Sequence, residues 1–146
     1  MLLIAQASAN ELDGIERMTG LVTHFEIYGD DPAKLADFYA CLFGWQIEKA
    51  PGVDYWRIHN DPTNGNHFDG GLAYRPSDGP SCWLPYVTVD SVDEAIARAQ
   101  RMGASIVRQK SAVPRTGWYG VLVDPQGNFF AIWQTDPTAF PAPEPD

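Results

Sequence analysis

The sequence predicts an α+β fold of two tandem β-α-β-β-β modules, and three observations carry that expectation. The same order of hydrophobic periods, strand, helix, then three short strands, occurs twice along the chain. An offset of 59 superposes Asp31 on Asp90 and Gly44 on Gly103, and an offset of 60 superposes Leu35, Tyr39 and Leu42 on Ala95, Ala99 and Met102. The turn Asp61-Pro62-Thr63-Asn64-Gly65-Asn66 returns as Asp124-Pro125-Gln126-Gly127-Asn128, with one residue inserted in the first copy.

Residues 1–19 show no sustained period and are expected to be a flexible lead-in, with a helical turn around Ala9–Arg17 at most. The first module, residues 20–75, opens with the β-branched and aromatic run Leu21–Tyr28. Asp30 or Asp31 then caps a helix with Pro32 at its first position, because Pro lacks the N–H that a first turn leaves unpaired anyway. Leu35, Phe38, Tyr39, Leu42 and Phe43 recur at steps of three and four and predict one buried stripe, and Gly44 suits the left-handed end of the helix. Strands are expected at Trp45–Lys49, Asp54–His59 and about Phe68–Tyr74.

The second module, residues 82–134, repeats the order. Strand Cys82–Val89 leads into helix Ser91–Met102, begun by Asp90 or Ser91, with Val92, Ala95, Ile96, Ala99 and Met102 on one face. Strands Ser105–Gln109, Trp118–Val123 and Asn128–Gln134 follow. Residues 135–146 form a Pro-rich tail with four prolines, which suits a surface wrap or a disordered end and no central element.

Composition bounds the function. The chain has 146 residues, room for one domain or two small halves, and 45% apolar with 20% charged residues is the balance of a globular protein with a real core. The net charge of −9 with scattered bases offers no footprint for a phosphate backbone, so no nucleic-acid partner is expected. No apolar run approaches the roughly 18 residues of a membrane span, and Met1–Gln6 lacks the basic start and length of a signal peptide. Cys41 and Cys82 sit in apolar contexts without metal-type spacing and are expected to be buried thiols. A cytoplasmic chain with no membrane partner is the resulting expectation.

The tandem modules, His24-Phe25-Glu26-Ile27, the segment from Asp31-Pro32 through Phe38-Tyr39 to Phe43-Gly44-Trp45, Trp118-Tyr119 and the Asp124–Asn128 turn together resemble the glyoxalase / bleomycin-resistance / extradiol-dioxygenase (vicinal oxygen chelate) superfamily over residues 20–134. The resemblance implies curled mixed sheets that form a ligand cup, and a homodimer. It also implies four metal ligands, on the first and last strand of each module. The first position falls on His24, a good ligand type. The second-module positions fall on Leu84 or Trp83 and on Ala131, none of which can ligate, and the remaining position is Gly71 or Asp69 depending on the alignment. A catalytic metal usually keeps three protein ligands, so the expectation is no resident cofactor, with a divalent metal on His24, Glu26 and Asp69 as the unorthodox alternative.

Strand alternation puts Glu26 and Tyr28 on the face of His24. The same parity groups His67, Asp69 and Gly71, then Leu84, Tyr86 and Thr88, then Phe129, Ala131 and Trp133. An aromatic wall with a few polar groups suits a small apolar or aromatic ligand. His24 and Glu26 read either as a catalytic acid/base pair or as a structural pair; Glu26 is costly to desolvate without a partner, which would be His24, Arg57 or a ligand donor. Tyr28, Asp69, Leu84, Tyr86, Trp118, Phe129, Ala131 and Trp133 are the candidate ligand-binding residues, with core packing as the alternative for the aromatics. His59 and His67 read as solvated or structural, and Tyr55-Trp56-Arg57 as a cavity-mouth segment or an ordinary alternating strand. Gly70-Gly71 lacks the strand-to-helix context of a dinucleotide loop, and no serine sits in a nucleophile elbow. Three functions remain: a metal-independent small-molecule binder, a lyase, isomerase or hydroxylase-like enzyme using His24 and Glu26, or a structural or regulatory partner domain.

Overall fold

The computed structural model describes residues 20–59, 69–77 and 79–140. The expected lead-in at 1–19, the turn at 60–66, His67 and the end of the tail at 141–146 lie outside the described residues. The described elements run β1 (Leu21–Gly29), α1 (Pro32–Phe43), β2 (Gln46–Lys49), β3 (Tyr55–His59), β4 (Asp69–Tyr74), β5 (Trp83–Thr88), α2 (Val92–Arg101), β6 (Ser105–Val113), β7 (Gly117–Val123) and β8 (Phe129–Thr135). That is the mixed α+β order of the β-α-β-β-β repeat. Among the described residues no helix is long and apolar enough to cross a membrane.

Two compact units share this chain. The first comprises Val22–Tyr86 with Phe129–Ala131, and the second holds Val87–Asn128 and the chain from Ile132, joined by Gly20 and Leu21. Strands β5 and β8 therefore each give residues to both units, and the units do not coincide with the sequence modules.

In the first unit the strand order is β2-β3-β4-β1-β5. Strands β1 and β4 are parallel, pairing His24 with Asp69, Phe25 with Gly70, Glu26 with Gly71 and Ile27 with Leu72. Strand β3 is antiparallel to both β4 and β2, pairing Tyr55 with Ala73 and Arg57 with Gly71 on one side and Ile58 with Ile47 on the other. Register partners share a face, so the sheet sorts its side chains cleanly. Ile27, Ile58 and Leu72 form the buried core on one face, with Phe25, Leu35, Ala36, Tyr39, Trp45, Ile47 and Trp56 packed against it. His24, Glu26, Tyr28, Tyr55, Arg57 and Gly71 lie on the other. Gly70 is required on the core face, because a Cβ there would run into the Phe25 ring.

Helix α1 starts as expected: the Asp31 side chain accepts from the Lys34 N–H, Pro32 holds the first turn, and Gly44 closes the helix at φ 72°. Its inward row is narrower than the sequence suggests. Pro32, Leu35, Ala36 and Tyr39 face the sheet, whereas Phe38 and Leu42, one row around the helix, are more than half exposed, as is Phe43, the last helical residue, which stacks on Tyr39. The expected burial of the cysteines also fails. Cys41 lies on that outward row and is exposed, and Cys82, just before β5, is half-buried. Where α1 meets the sheet, Tyr39 stacks on Trp45 and accepts from Trp83 Nε1 at 3.2 Å, while Trp83 stacks on Phe25 with centroids 5.3 Å apart.

In the second unit the order is β5-β8-β7-β6. Ser91 caps α2 by accepting from the Glu94 N–H, and Val92 and Ile96 are buried, but Met102 falls beyond the last turn and is exposed. Strand β6 runs four residues further than expected, to Val113, because irregularities between Ile106 and Ser111 let it follow β7 past the point where alternation breaks. Residues 136–140 are tied down: Asp136 N–H donates to Thr116 O, Arg115 N–H donates to Ala139 O, and Ala139 is fully buried.

The first unit depends on its core triad, since each fully buried aliphatic side chain contributes roughly 1.5–3 kcal/mol. Leu72→Ala is expected to lower the unfolding free energy by about 2–5 kcal/mol in a urea titration, as cavity formation adds to the lost burial.

Candidate functional site

The site is built on the face of β1 that points away from the core. Glu26, opposite Gly71 in the β1–β4 register, is its centre, and its side chain is only 14% exposed. Tyr28, two residues along the strand, and Tyr86, on β5, each donate a hydroxyl hydrogen bond of 2.6 Å to Glu26 Oε1. These are short, charge-assisted bonds, the strong kind. Glu26 Oε2 faces His24 Nε2 at 3.6 Å, and the same nitrogen shares a 3.2 Å hydrogen bond with the Tyr55 hydroxyl. The His24 ring meets Tyr86 edge-on, with centroids 5.2 Å apart and planes at 80°. His24 is the open side of the cluster, 31% exposed.

The electrostatics follow from this geometry. Burial pushes the Glu26 carboxyl up, but hydrogen bonds from His24, Tyr28, Tyr86 and Tyr55 together outweigh it and hold the group below its ordinary value of 4.5. Burial, and then the Glu26 charge, push the phenols of Tyr55 and Tyr86 far above theirs. At neutral pH the cluster is one carboxylate among phenols that remain protonated and donating.

The structure brings His24, Glu26, Tyr28 and Tyr86 together. Asp69 is the register partner of His24 but is exposed, and Leu84 and Ala131 are buried in the same unit with Phe129 half-buried. Trp118 and Trp133 belong to the second unit. There Trp118 Nε1 donates to Asp136 at 3.0 Å beneath the Lys110 ammonium, 4.4 Å from its ring, and Trp133 Nε1 donates to Thr135 Oγ1 at 3.1 Å. Arg57, one expected partner of Glu26, is exposed and its charge bears on Tyr55; phenols hold the carboxylate. Tyr55 is the residue whose role the sequence concealed. Its hydroxyl reaches His24 because Gly71 has no side chain: a Cβ there would collide with the Tyr55 hydroxyl and ring. The signal was the parity of Tyr55 with Arg57 on one strand and the Gly-Gly pair on the next.

Among the described residues no group of three or more His, Cys, Asp or Glu side chains stands where it could hold an ion, so His24, Glu26 and Asp69 do not form one. Glu26 Oε1, moreover, already accepts two phenol hydrogens.

A carboxyl held below 4.5 in the folded chain stabilises the fold above the unfolded value, and that contribution is lost as pH falls through the folded value. Glu26→Gln is therefore expected to cost about 1–2 kcal/mol at pH 7, by weakening charge-assisted hydrogen bonds. Denaturant titrations from pH 7 to 3 check the sign: the gap between wild type and variant should narrow below pH 4.5.

The glyoxalase-like domain model matches residues 26–133. A Mycobacterium bovis protein provisionally named glyoxylase CFP32 is 29% identical over 123 residues, 82% of this chain and 46% of that protein. The Streptomyces peucetius anthracycline biosynthesis protein DnrV is 26% identical over 138 residues, 79% of this chain and 47% of that protein. The chain thus spans about half the length of these relatives. Among solved structures, a Streptomyces coelicolor methylmalonyl-CoA epimerase variant superposes with a TM-score of 0.55 at 15% identity, over 84% of this chain and 99% of that one, a likeness of fold. With the match spanning most of the described strands and both helices, the chain belongs to the glyoxalase-like domain family.

Proposed function

We propose that this chain binds a small apolar or aromatic molecule against the tyrosine-rich face around Glu26, orienting it by hydrogen bonds and without the metal set that the superfamily resemblance implies. One observation carries the reading: a largely buried carboxylate is held by two phenols at 2.6 Å beside a half-buried histidine. Aromatic rings with a few oriented polar groups are the composition of a small-molecule site. A relative named for anthracycline biosynthesis supports an organic small molecule as ligand.

The enzyme reading, with His24 and Glu26 as an acid/base pair, draws on the 3.6 Å approach of His24 Nε2 to Glu26 and its hydrogen bond to Tyr55. The carboxylate weakens that reading. Four donors depress its proton affinity, which makes it a poorer base than an ordinary glutamate. Binding is the better-supported function.

A panel of neutral aromatic probes, followed by intrinsic tyrosine and tryptophan fluorescence, tests this. At least one probe should bind saturably, with the same affinity before and after dialysis against a chelator. Tyr86→Phe should weaken it roughly three- to tenfold, the worth of one hydrogen bond. Loss of binding on chelation would contradict the metal-independent reading.

A further inference from the structure

The polar hydrogens of the cluster are directed at Glu26, and that fixes the tautomer of His24. A carboxylate only accepts hydrogen bonds, so Tyr28 and Tyr86, at 2.6 Å, spend their hydroxyl hydrogens on Oε1. Tyr55 hydrogen-bonds the same carboxylate and has a single hydroxyl hydrogen to give. Its oxygen therefore accepts in the 3.2 Å contact with His24, and the donor there is the Nε2–H. The 3.6 Å approach of Nε2 to Glu26 Oε2 gives the same answer independently, since a nitrogen lone pair aimed at a carboxylate is repelled. The edge-on contact with Tyr86, at 5.2 Å between centroids, holds the ring from another side. A neutral imidazole carries one N–H and one lone pair, and the hydrogen bond made at one nitrogen decides what the other offers. With the proton on Nε2, Nδ1 is an acceptor. His24 is also the more open member of the pair, its side chain 31% exposed against 14% for Glu26.

Resting on the binding function above, we infer that His24 sets the specificity of the site through Nδ1, and that the ligand is a neutral aromatic molecule that donates a hydrogen bond: a ring carrying a hydroxyl or an N–H. An aromatic ether of similar shape offers only an acceptor and leaves Nδ1 unpaired when it binds. Unpaired acceptors taken out of water cost free energy, so the site discriminates by hydrogen-bond polarity more than by size.

Two measurements at pH 7.5 on the nitrogen-15-labelled full chain test this. His59→Gln with His67→Gln leaves His24 as the single histidine, and its ring nitrogen–proton correlation spectrum is expected to show Nε2 protonated and Nδ1 with the lone pair. 1-Naphthol and 1-methoxynaphthalene are then titrated in. The naphthol should bind about three- to tenfold more tightly, the worth of one neutral hydrogen bond, and should move the Nδ1 resonance where the ether does not. In His24→Phe the naphthol's advantage should fall to within about twofold. If that variant does not fold, the tautomer and the ranking in the chain that keeps His24 decide the matter. A proton on Nδ1, or equal binding of naphthol and ether, overturns the inference and leaves the binding function standing. Saturable binding by neither probe overturns both.

Discussion

A charged group inside a protein must be met by donors, and in this chain the carboxylate of Glu26 sets that demand. Its position is fixed by the parallel pairing of β1 with β4, which places it opposite Gly71 and away from the Ile27–Ile58–Leu72 core. Three strands answer it: Tyr28 from β1, Tyr86 from β5 and, through His24, Tyr55 from β3. The site and the sheet are therefore one structure. Moving β1 by one residue would turn Glu26 into the core and Ile27 out of it.

Much of the scaffold was legible in the sequence because local chemistry dictates it. Asp31-Pro32 and Gly44 bound α1 through capping and a left-handed residue, and these operate without reference to the rest of the chain. The parity of His24, Glu26 and Tyr28 was readable for the same reason, since alternation is a property of the strand itself. What escaped depends on neighbours. Periodicity does not say which of two adjacent rows on α1 turns inward, so Phe38 and Leu42 looked like core and are exposed. The extension of β6 rests on register irregularities opposite β7 that no pattern of hydrophobicity announces.

Tyr55 shows the limit most clearly. Its part in the site requires the β3–β4 register, the bare backbone of Gly71 and the approach of His24 all at once. The Gly70-Gly71 pair, unexplained as a nucleotide loop, acquires a physical meaning here. Each glycine clears one face of β4 for one aromatic ring, Phe25 on the core side and Tyr55 on the other. A fold shared with the glyoxalase-like family thus carries, at its first strand, a hydrogen-bonded carboxylate surrounded by phenols.

The central claim is that Glu26 remains ionised because donors outweigh its burial, and direct titration of that one carboxyl tests it. In carbon-13-labelled protein the Glu26 side-chain carboxyl resonance, assigned by its loss in Glu26→Gln, is followed from pH 7 downward. The account predicts a midpoint below 4.5 that rises when Tyr86→Phe removes one donor. A midpoint above 4.5 in the wild-type chain would mean that burial prevails over the phenols, and would contradict the account.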